Sequence, residues 1–238
     1  MTAWILVPVH NGLSLTRKAI KSMLAQDIGE VRILVINNSS TDGTAEYLRT
    51  QYPRVVTTHR DPPLSVSASW NKGLSLLFDG TPNTHILVCN NDIELSSDTY
   101  SRLLADGGDF VTGVGVDDKG KLEVDALSTK AVDLTRTPHP HFSCYLISRY
   151  VWETVGKFDE QFMGAYCEDA DYHLRMHQKG IKACSLNIPF YHVGSGTLNA
   201  CTPEERERIC KQADLNRLYF REKWGVEVGS PEYYHLFE

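Results

Sequence analysis

No stretch of this chain approaches the ~20 consecutive apolar residues that a membrane-spanning helix needs, so no span is expected. Its opening, MTAWILVPVHNG, lacks a basic n-region, and the apolar run is shorter than a signal h-region, which points to a cytoplasmic location. Positive charge is also in short supply. Lys and Arg number 24 against 30 Asp and Glu, a net charge of -6, which argues against a surface built for polyanions and against a stable nucleic-acid partner. Cys89, Cys144, Cys167, Cys184, Cys201 and Cys210 include no C-x-x-C pair. They are scattered through apolar segments, as buried free thiols in a reducing compartment would be.

Several chemistries lack their signatures. Gly113-Val114-Gly115 has neither the third glycine nor the helix of a dinucleotide fingerprint, and no G-x-x-x-x-G-K-S/T loop occurs. A G-x-S-x-G elbow is absent, as is a basic patch interleaved with aromatics for single-stranded nucleic acid. His173 and His177 share a helix face, as zinc ligands would, without the H-E-x-x-H pattern. There is no internal repeat, low-complexity tract or linker, so residues 1–238 are expected to form one domain.

What is present is a regular alternation. The apolar runs Trp4–Val9, Val31–Ile36, Val55–Thr57 and His85–Cys89 read as buried strands. Between them, helices are expected over Ser14–Gln26, with Leu15, Ala19, Met23 and Leu24 on one stripe, after Thr41 or Asp42 as cap, and around Ser67–Phe78. Such alternation predicts an α/β fold: a mainly parallel sheet, helices on both faces, and ligands beyond the carboxyl ends of the strands. The polar loops at His10-Asn11, Asn37–Asp42 and Asn90–Glu94 would all open on that edge.

The second half is less regular. Val111–Val116 and Leu122–Leu127 around Asp117–Gly120 read as a hairpin, and Phe142–Ile147 as a strand with Ser148 capping Val151–Val155. Helices are predicted from about Glu168 to Lys179, ended by Gly180, and from Pro203 to Trp224. The division expected is a nucleotide-binding half at 1–110 and an acceptor-side half with a C-terminal helix at 111–238.

Three clusters can carry chemistry. Asn90-Asn91-Asp92-Ile93-Glu94 follows a strand directly, where a carboxylate can hold a hard divalent cation or simply shape a turn. Glu168 and Asp169 stand at a helix N-terminus, where a carboxylate can act as a general base or merely complement the dipole. Asp171 and Arg175, four apart, read as a structural pair. His192, after the apolar Ile188–Tyr191, can be a metal ligand, a phosphate contact or a core histidine. His139-Pro140-His141 reads as a loop within reach of an acceptor.

The order of these motifs resembles the family 2 inverting glycosyltransferases of the GT-A fold, over most of the chain. Val7-Pro8-Val9-His10-Asn11 is similar to the family's opening strand and loop, and Asn37 to Thr44 to its D-x-S-x-D-G-T loop. Ser69-Trp70-Asn71-Lys72-Gly73 resembles its A-x-N-x-G helix start, and Asn90-Asn91-Asp92 its D-x-D site. Phe158-Asp159-Glu160, Glu168-Asp169-Ala170-Asp171 and His192 complete the series, and Tyr219 to Gly225 resembles the tails of viral and rhamnosyltransferase-like members.

The resemblance implies a Rossmann-like GT-A sheet and a donor that is a nucleotide diphosphate sugar, a UDP-sugar first. The acceptor would be a glycan or another hydroxyl. Pro8, His10, Asn11, Asn37, Asn71, Asn90 and Asn91 would line the nucleotide-sugar. Asp92, with His192 and Glu94, would hold Mn2+ or Mg2+. Asp169, with Glu168 beside it, would take the acceptor proton. Two positions depart from the pattern. Asn37 and Asn90 stand where the family has aspartate, which changes the hydrogen bonds offered to a base and removes a charge from the metal region.

A transferase-like module that only binds would be expected to have lost Asp92, Asp169 or His192, and all three are present. A nucleotidyltransferase would need a basic, glycine-rich first loop, which His10 to Ser14 does not supply. Glycosylation of a modified nucleic-acid base is a further alternative, and the acidic charge weighs against it.

Overall fold

The computed structural model describes residues 2–52, 55–60, 63–119, 131–133, 142–194 and 202–237. The chain runs β1 (Thr2–Val9), α1 (Leu13–Leu24), β2 (Glu30–Asn38), α2 (Thr44–Gln51), β3 (Val55–Arg60), α3 (Val66–Gly80), β4 (His85–Cys89), β5 (Ile93–Leu95), α4 (Thr99–Ala105) and β6 (Phe110–Val116). It continues through β7 (Ala131–Asp133), β8 (Cys144–Ser148), α5 (Arg149–Val155), α6 (Glu168–Gln178), β9 (Ala183–His192), α7 (Pro203–Trp224) and α8 (Pro231–His235). The expected second hairpin arm at Leu122–Leu127, the His139-Pro140-His141 loop and Ser195-Gly196-Thr197 lie outside the described residues.

One sheet contains all the described strands, in the order β3-β2-β1-β4-β8-β6-β9-β5, with β7 also pairing with β9. β8, β5 and β7 run against the other strands, so the sheet is mainly parallel. Successive strands step from β1 to β3 in one direction, and β4 then returns to the other side of β1. That reversal puts a crevice beyond the carboxyl ends of β1 and β4, which is where open α/β sheets bind ligands. The loops at His10-Asn11 and Asn90–Asp92 leave from those two ends.

The period-2 alternation of a strand explains the two core layers. Ile5, Val7, Ile33, Val35 and Leu87 pack with Ala19, Ile20 and Met23 of α1 and Leu103 of α4 on one face. Leu6, Leu34, Ile36, Ile86 and Val88 pack with Trp70, Leu74 and Phe78 of α3 and Tyr172 of α6 on the other. Both faces being covered accounts for the continuous apolar runs. At Gly73 an added Cβ would sit 2.1 Å from the Leu6 side chain, so this glycine lets α3 lie against β1. A third cluster, away from the sheet, joins Phe162, Leu174, Phe220, Tyr233 and Phe237 across α6, α7 and α8.

Helix ends follow local chemistry. Ser148 caps α5 through its hydroxyl, which accepts from Val151 N, and Gly180 turns left-handed just past α6. Thr202 and Glu205 form a reciprocal capping box at the start of α7, ahead of the predicted proline. The start of α2 differs from expectation. Its cap is the left-handed Gly43, with no side-chain bond of its own, and Asp42 acts from one residue earlier.

Candidate functional site

The first two loops are tied into one surface by small polar groups. His10 Nδ1 donates to the Asn38 carbonyl at 2.5 Å, which leaves Nε2 as the acceptor of a neutral ring. Asn11, itself left-handed, donates its N–H to Ser40 Oγ (2.9 Å) and accepts from Thr41 N (2.8 Å). Asp42 joins two helix starts. It accepts from Leu13 N at the head of α1 (2.8 Å) and from the backbone and hydroxyl of Thr44 at the head of α2 (3.1 and 2.6 Å). Burial alone would raise the Asp42 carboxyl, but these hydrogen bonds outweigh it and hold the pKa below the usual aspartate value. Asn91 links this surface to the β4 loop by donating to Asn11 O and Thr16 Oγ1 at 3.2 and 3.0 Å.

Beyond β4, Asn90 N donates to Ser143 O, and Asp92 O accepts from Val193 N at 3.1 Å, closing β5 onto the end of β9. This brings His192 Nε2 to 3.4 Å from Asp92 Oδ1, across a sequence separation of 100 residues. Glu94 is held elsewhere. It stands opposite Tyr191 and takes an ion pair from Lys119 at 2.6 Å, while that ammonium lies 5.0 Å from the Tyr191 ring centre. The sequence therefore grouped three ligands, and the structure brings two of them together. Among the described residues no group of three or more metal-binding side chains forms.

The carboxylate pair follows a strained turn. Tyr166 and Cys167 are both left-handed, at φ 85° and 72°, a conformation that costs a non-glycine residue about 1–2 kcal/mol each. They are held from α7: buried Asn216 donates its amide to the carbonyls of Met163, Ala165 and Tyr166 at 2.9, 2.9 and 3.0 Å. Glu168 is 5% exposed, and among the described residues its Oε2 has no hydrogen-bond partner. Burial first, and then the charge of Asp169, push its pKa up to about 8. Asp169 is partly exposed and accepts from Ala170 N at 2.8 Å. Tyr145 pairs with Val88, two residues before Asn90, and shares a buried cluster with Phe158 and with Tyr172 of α6.

Two residues that the resemblance assigned to the nucleotide-sugar are turned inward. Asn37 is 0% exposed and accepts from Ser40 N. Asn71 is 2% exposed; its amide donates to Phe158 O and Glu160 Oε1 and accepts from Phe158 N, each at 2.8 Å. Pro8 is half-buried in β1 opposite Ile36. His10 is exposed, and Asn90 and Asn91 are half-buried. His173 and His177 both pack on the Phe237 ring, with centres 4.4 and 5.3 Å away.

A network absent from the sequence reading pins α7 to α6. Lys223 Nζ lies 2.7 Å from both Asp159 Oδ2 and Asp171 Oδ1. Tyr219 donates to Asp159 (2.8 Å), and Trp224 Nε1 to Asp171 (2.9 Å). The predicted Asp171–Arg175 pair forms at 2.9 Å and is part of the same network. Burial would raise the Asp159 carboxyl, but hydrogen bonds from Lys223, Gln161 N and Tyr219 bring its pKa below the usual value.

A family model described as "Glycosyl transferase family 2" matches residues 4–153. No curated protein matches the sequence. Among solved structures, the chain is similar to the mannosyltransferase PcManGT from Pyrobaculum calidifontis in complex with GDP-Man and Mn2+. The TM-score is 0.68 at 15% identity, covering 99% of this chain and 67% of that one. GalNAc-T7 with UDP, GalNAc and Mn2+ gives 0.66 at 12% identity, covering 99% and 53%. S. aureus TarS gives 0.60 at 13% identity, covering 92% and 44%. The chain thus spans about half of the last two proteins. Likeness at such identities speaks for the shared fold.

Proposed function

The chain belongs to glycosyl transferase family 2, and from that premise we propose that it moves a sugar from a UDP-sugar to an acceptor hydroxyl with inversion. It is an enzyme of the transferase class with the GT-A fold. One observation carries the reading. Asp92 and His192, from the loop after β4 and the end of β9, are brought to 3.4 Å, and α6, which begins with Glu168 and Asp169, packs in one cluster with Val88 of β4 through Tyr172.

In this reading residues 1–238 act as one domain, with the donor at the 1–110 half and the acceptor at the 111–238 half. His10, Asn11, Asn90 and Asn91 face the nucleotide-sugar, His10 offering Nε2 as an acceptor. Asn37, Asn71 and Pro8 serve it from within, by fixing the loops that carry those contacts.

The donor set fits a divalent cation. Carboxylate suits Mg2+ and Mn2+, imidazole suits later first-row ions, and the mixed pair favours Mn2+. Asp92 and His192 would hold it, with Glu94 in reserve behind Lys119. Such an ion, when bound, neutralises the charge that builds on the leaving diphosphate.

The two carboxylates have different tasks. Asp169, the more exposed, accepts the acceptor's proton as the hydroxyl attacks the anomeric carbon from the side opposite the diphosphate. Burial raises the Glu168 pKa to about 8, so it is the less ready of the two to carry charge, and the base role falls to the more exposed Asp169. The free thiols of Cys89, Cys144 and Cys167 suit a reducing, cytoplasmic setting.

The test is turnover of a panel of UDP-, dTDP- and GDP-sugars with Mn2+, with the anomeric configuration of the product read by NMR. The proposal expects turnover of a UDP-sugar and an inverted product. Retention of configuration, or no turnover of any donor, would overturn it.

A further inference from the structure

The loop before the carboxylate pair puts glycine at one left-handed position, Gly164 (φ 67°), but not at the next two, Tyr166 and Cys167. A chain that needed only the turn would use glycine again, since glycine takes this backbone without strain. A tyrosine kept there implies that its side chain is used. Three carbonyl bonds to the single amide of Asn216 hold the strained segment, so the loop is fixed from behind.

What the fixed loop shows to solvent is apolar. The Tyr166 side chain is 41% exposed and Met163 is 55% exposed, three residues apart. The Tyr166 hydroxyl is raised above its ordinary value by partial burial first, and then by Cys210 and Glu168. Tyr166 lies two residues before Glu168, at the head of α6, and its carbonyl is bonded to Asn216 of α7, so the residue sits between the two helices, next to the pair read above as the catalytic base. A tyrosine on a fixed backbone offers a large amphipathic face at little entropic cost. The C–H face of a sugar ring is the complement of such a surface.

We propose that Tyr166, on the loop it shares with Met163, is the acceptor platform: its ring takes the C–H face of a pyranose whose hydroxyl is turned toward Asp169. The proposal rests on the transferase reading with Asp169 as base, and it adds the chemical class of the acceptor and the residue that receives it.

Saturation-transfer NMR tests it with methyl glycosides of glucose, galactose, mannose and N-acetylglucosamine, in the presence of UDP and Mn2+. The wild type should bind at least one of them, with the strongest saturation at ring C–H protons. Tyr166→Phe should keep that signal. Tyr166→Gly should melt at or above the wild-type temperature, because the strain is relieved, yet lose the signal at least tenfold. Tyr166→Asn, which also tolerates the left-handed backbone without supplying a ring, should lose it equally. Undiminished pyranoside binding in the Gly and Asn variants would overturn the platform. So would a wild type that binds UDP with Mn2+ but none of the pyranosides. A wild type that fails even to bind UDP would remove the transferase reading, and this proposal with it.

Discussion

The loops after β1, β2 and β4 are braced to one another mainly by amides and hydroxyls: Asn11 to Ser40 and Thr41, and Asn91 to Asn11, with Asp42 as the one carboxylate, at the heads of two helices. The corner that carries Glu168 and Asp169 is braced mainly by ions. Lys223 bridges Asp159 and Asp171, Arg175 closes on Asp171, and Asn216 gathers three carbonyls from about fifty residues away. Bonds between neutral groups resist salt and pH, whereas a half-buried ionic network stabilises only while every charge keeps its partner. On the proposed reading the donor side is held mainly by neutral contacts between loops, and the acceptor side by contacts that α7 supplies.

The contrast is broken most sharply at the base. Asp169→Asn is expected to lower turnover about 10²–10⁴-fold while nucleotide affinity stays unchanged, as stopped assays and calorimetry would read. Turnover within a few-fold of wild type would move the base elsewhere. Next comes the network. Asp171→Ala removes the buried carboxylate shared by Lys223, Arg175 and Trp224, leaving Lys223 only Asp159, and should cost about 3–5 kcal/mol of stability in denaturant melts. Hydrogen exchange should rise in α6 and α7 while α1 and α2 stay protected. A loss spread evenly over both halves would erase the contrast.

Asp42→Ala probes the other side. It removes the acceptor for two helix heads and should cost about 1–2 kcal/mol, with faster exchange confined to the starts of α1 and α2. The last effect is one of pH. The pKa of Glu168 is raised in the fold to about 8, from an ordinary 4.5. Its stabilising share is therefore complete below pH ~4.5 and is lost as pH climbs through about 8. Wild type should lose melting temperature between pH 5 and 8.5 relative to Glu168→Gln, which has nothing to ionise there. Parallel melting curves for the two proteins would contradict the burial of this carboxyl.

Much of the framework was readable because its causes are local. Apolar runs located β1, β2 and β4, Ser148 and Gly180 marked helix ends, and Pro203–Trp224 was periodic enough to bound α7. The loops at His10-Asn11, Asn37–Asp42 and Asn90–Asp92 were legible for a similar reason: each leaves the end of a strand, so the sheet edge gathers them. Three things were hidden. Nothing in the spacing shows that Asn71 spends its amide on Phe158 and Glu160. Nothing in a tail read only as helix shows that Asn216, Tyr219, Lys223 and Trp224 reach α6 and the segment before it. Glu94 read as a third ligand because it is two residues from Asp92, yet the strand places it opposite Tyr191, where Lys119 takes it. Tertiary contact decides all three, and sequence distance carries no trace of it.

The most direct test of the central claim is the melting temperature of the intact chain with UDP, dTDP and GDP, each with Mn2+ or with chelator, for wild type and Asp92→Ala. A ligand at about 100 times its dissociation constant adds roughly 2.7 kcal/mol of stability, enough to shift the transition visibly. The account predicts a shift with UDP that needs Mn2+ and disappears in Asp92→Ala. An equal shift with chelator, or one that survives in Asp92→Ala, would contradict the Asp92–His192 site.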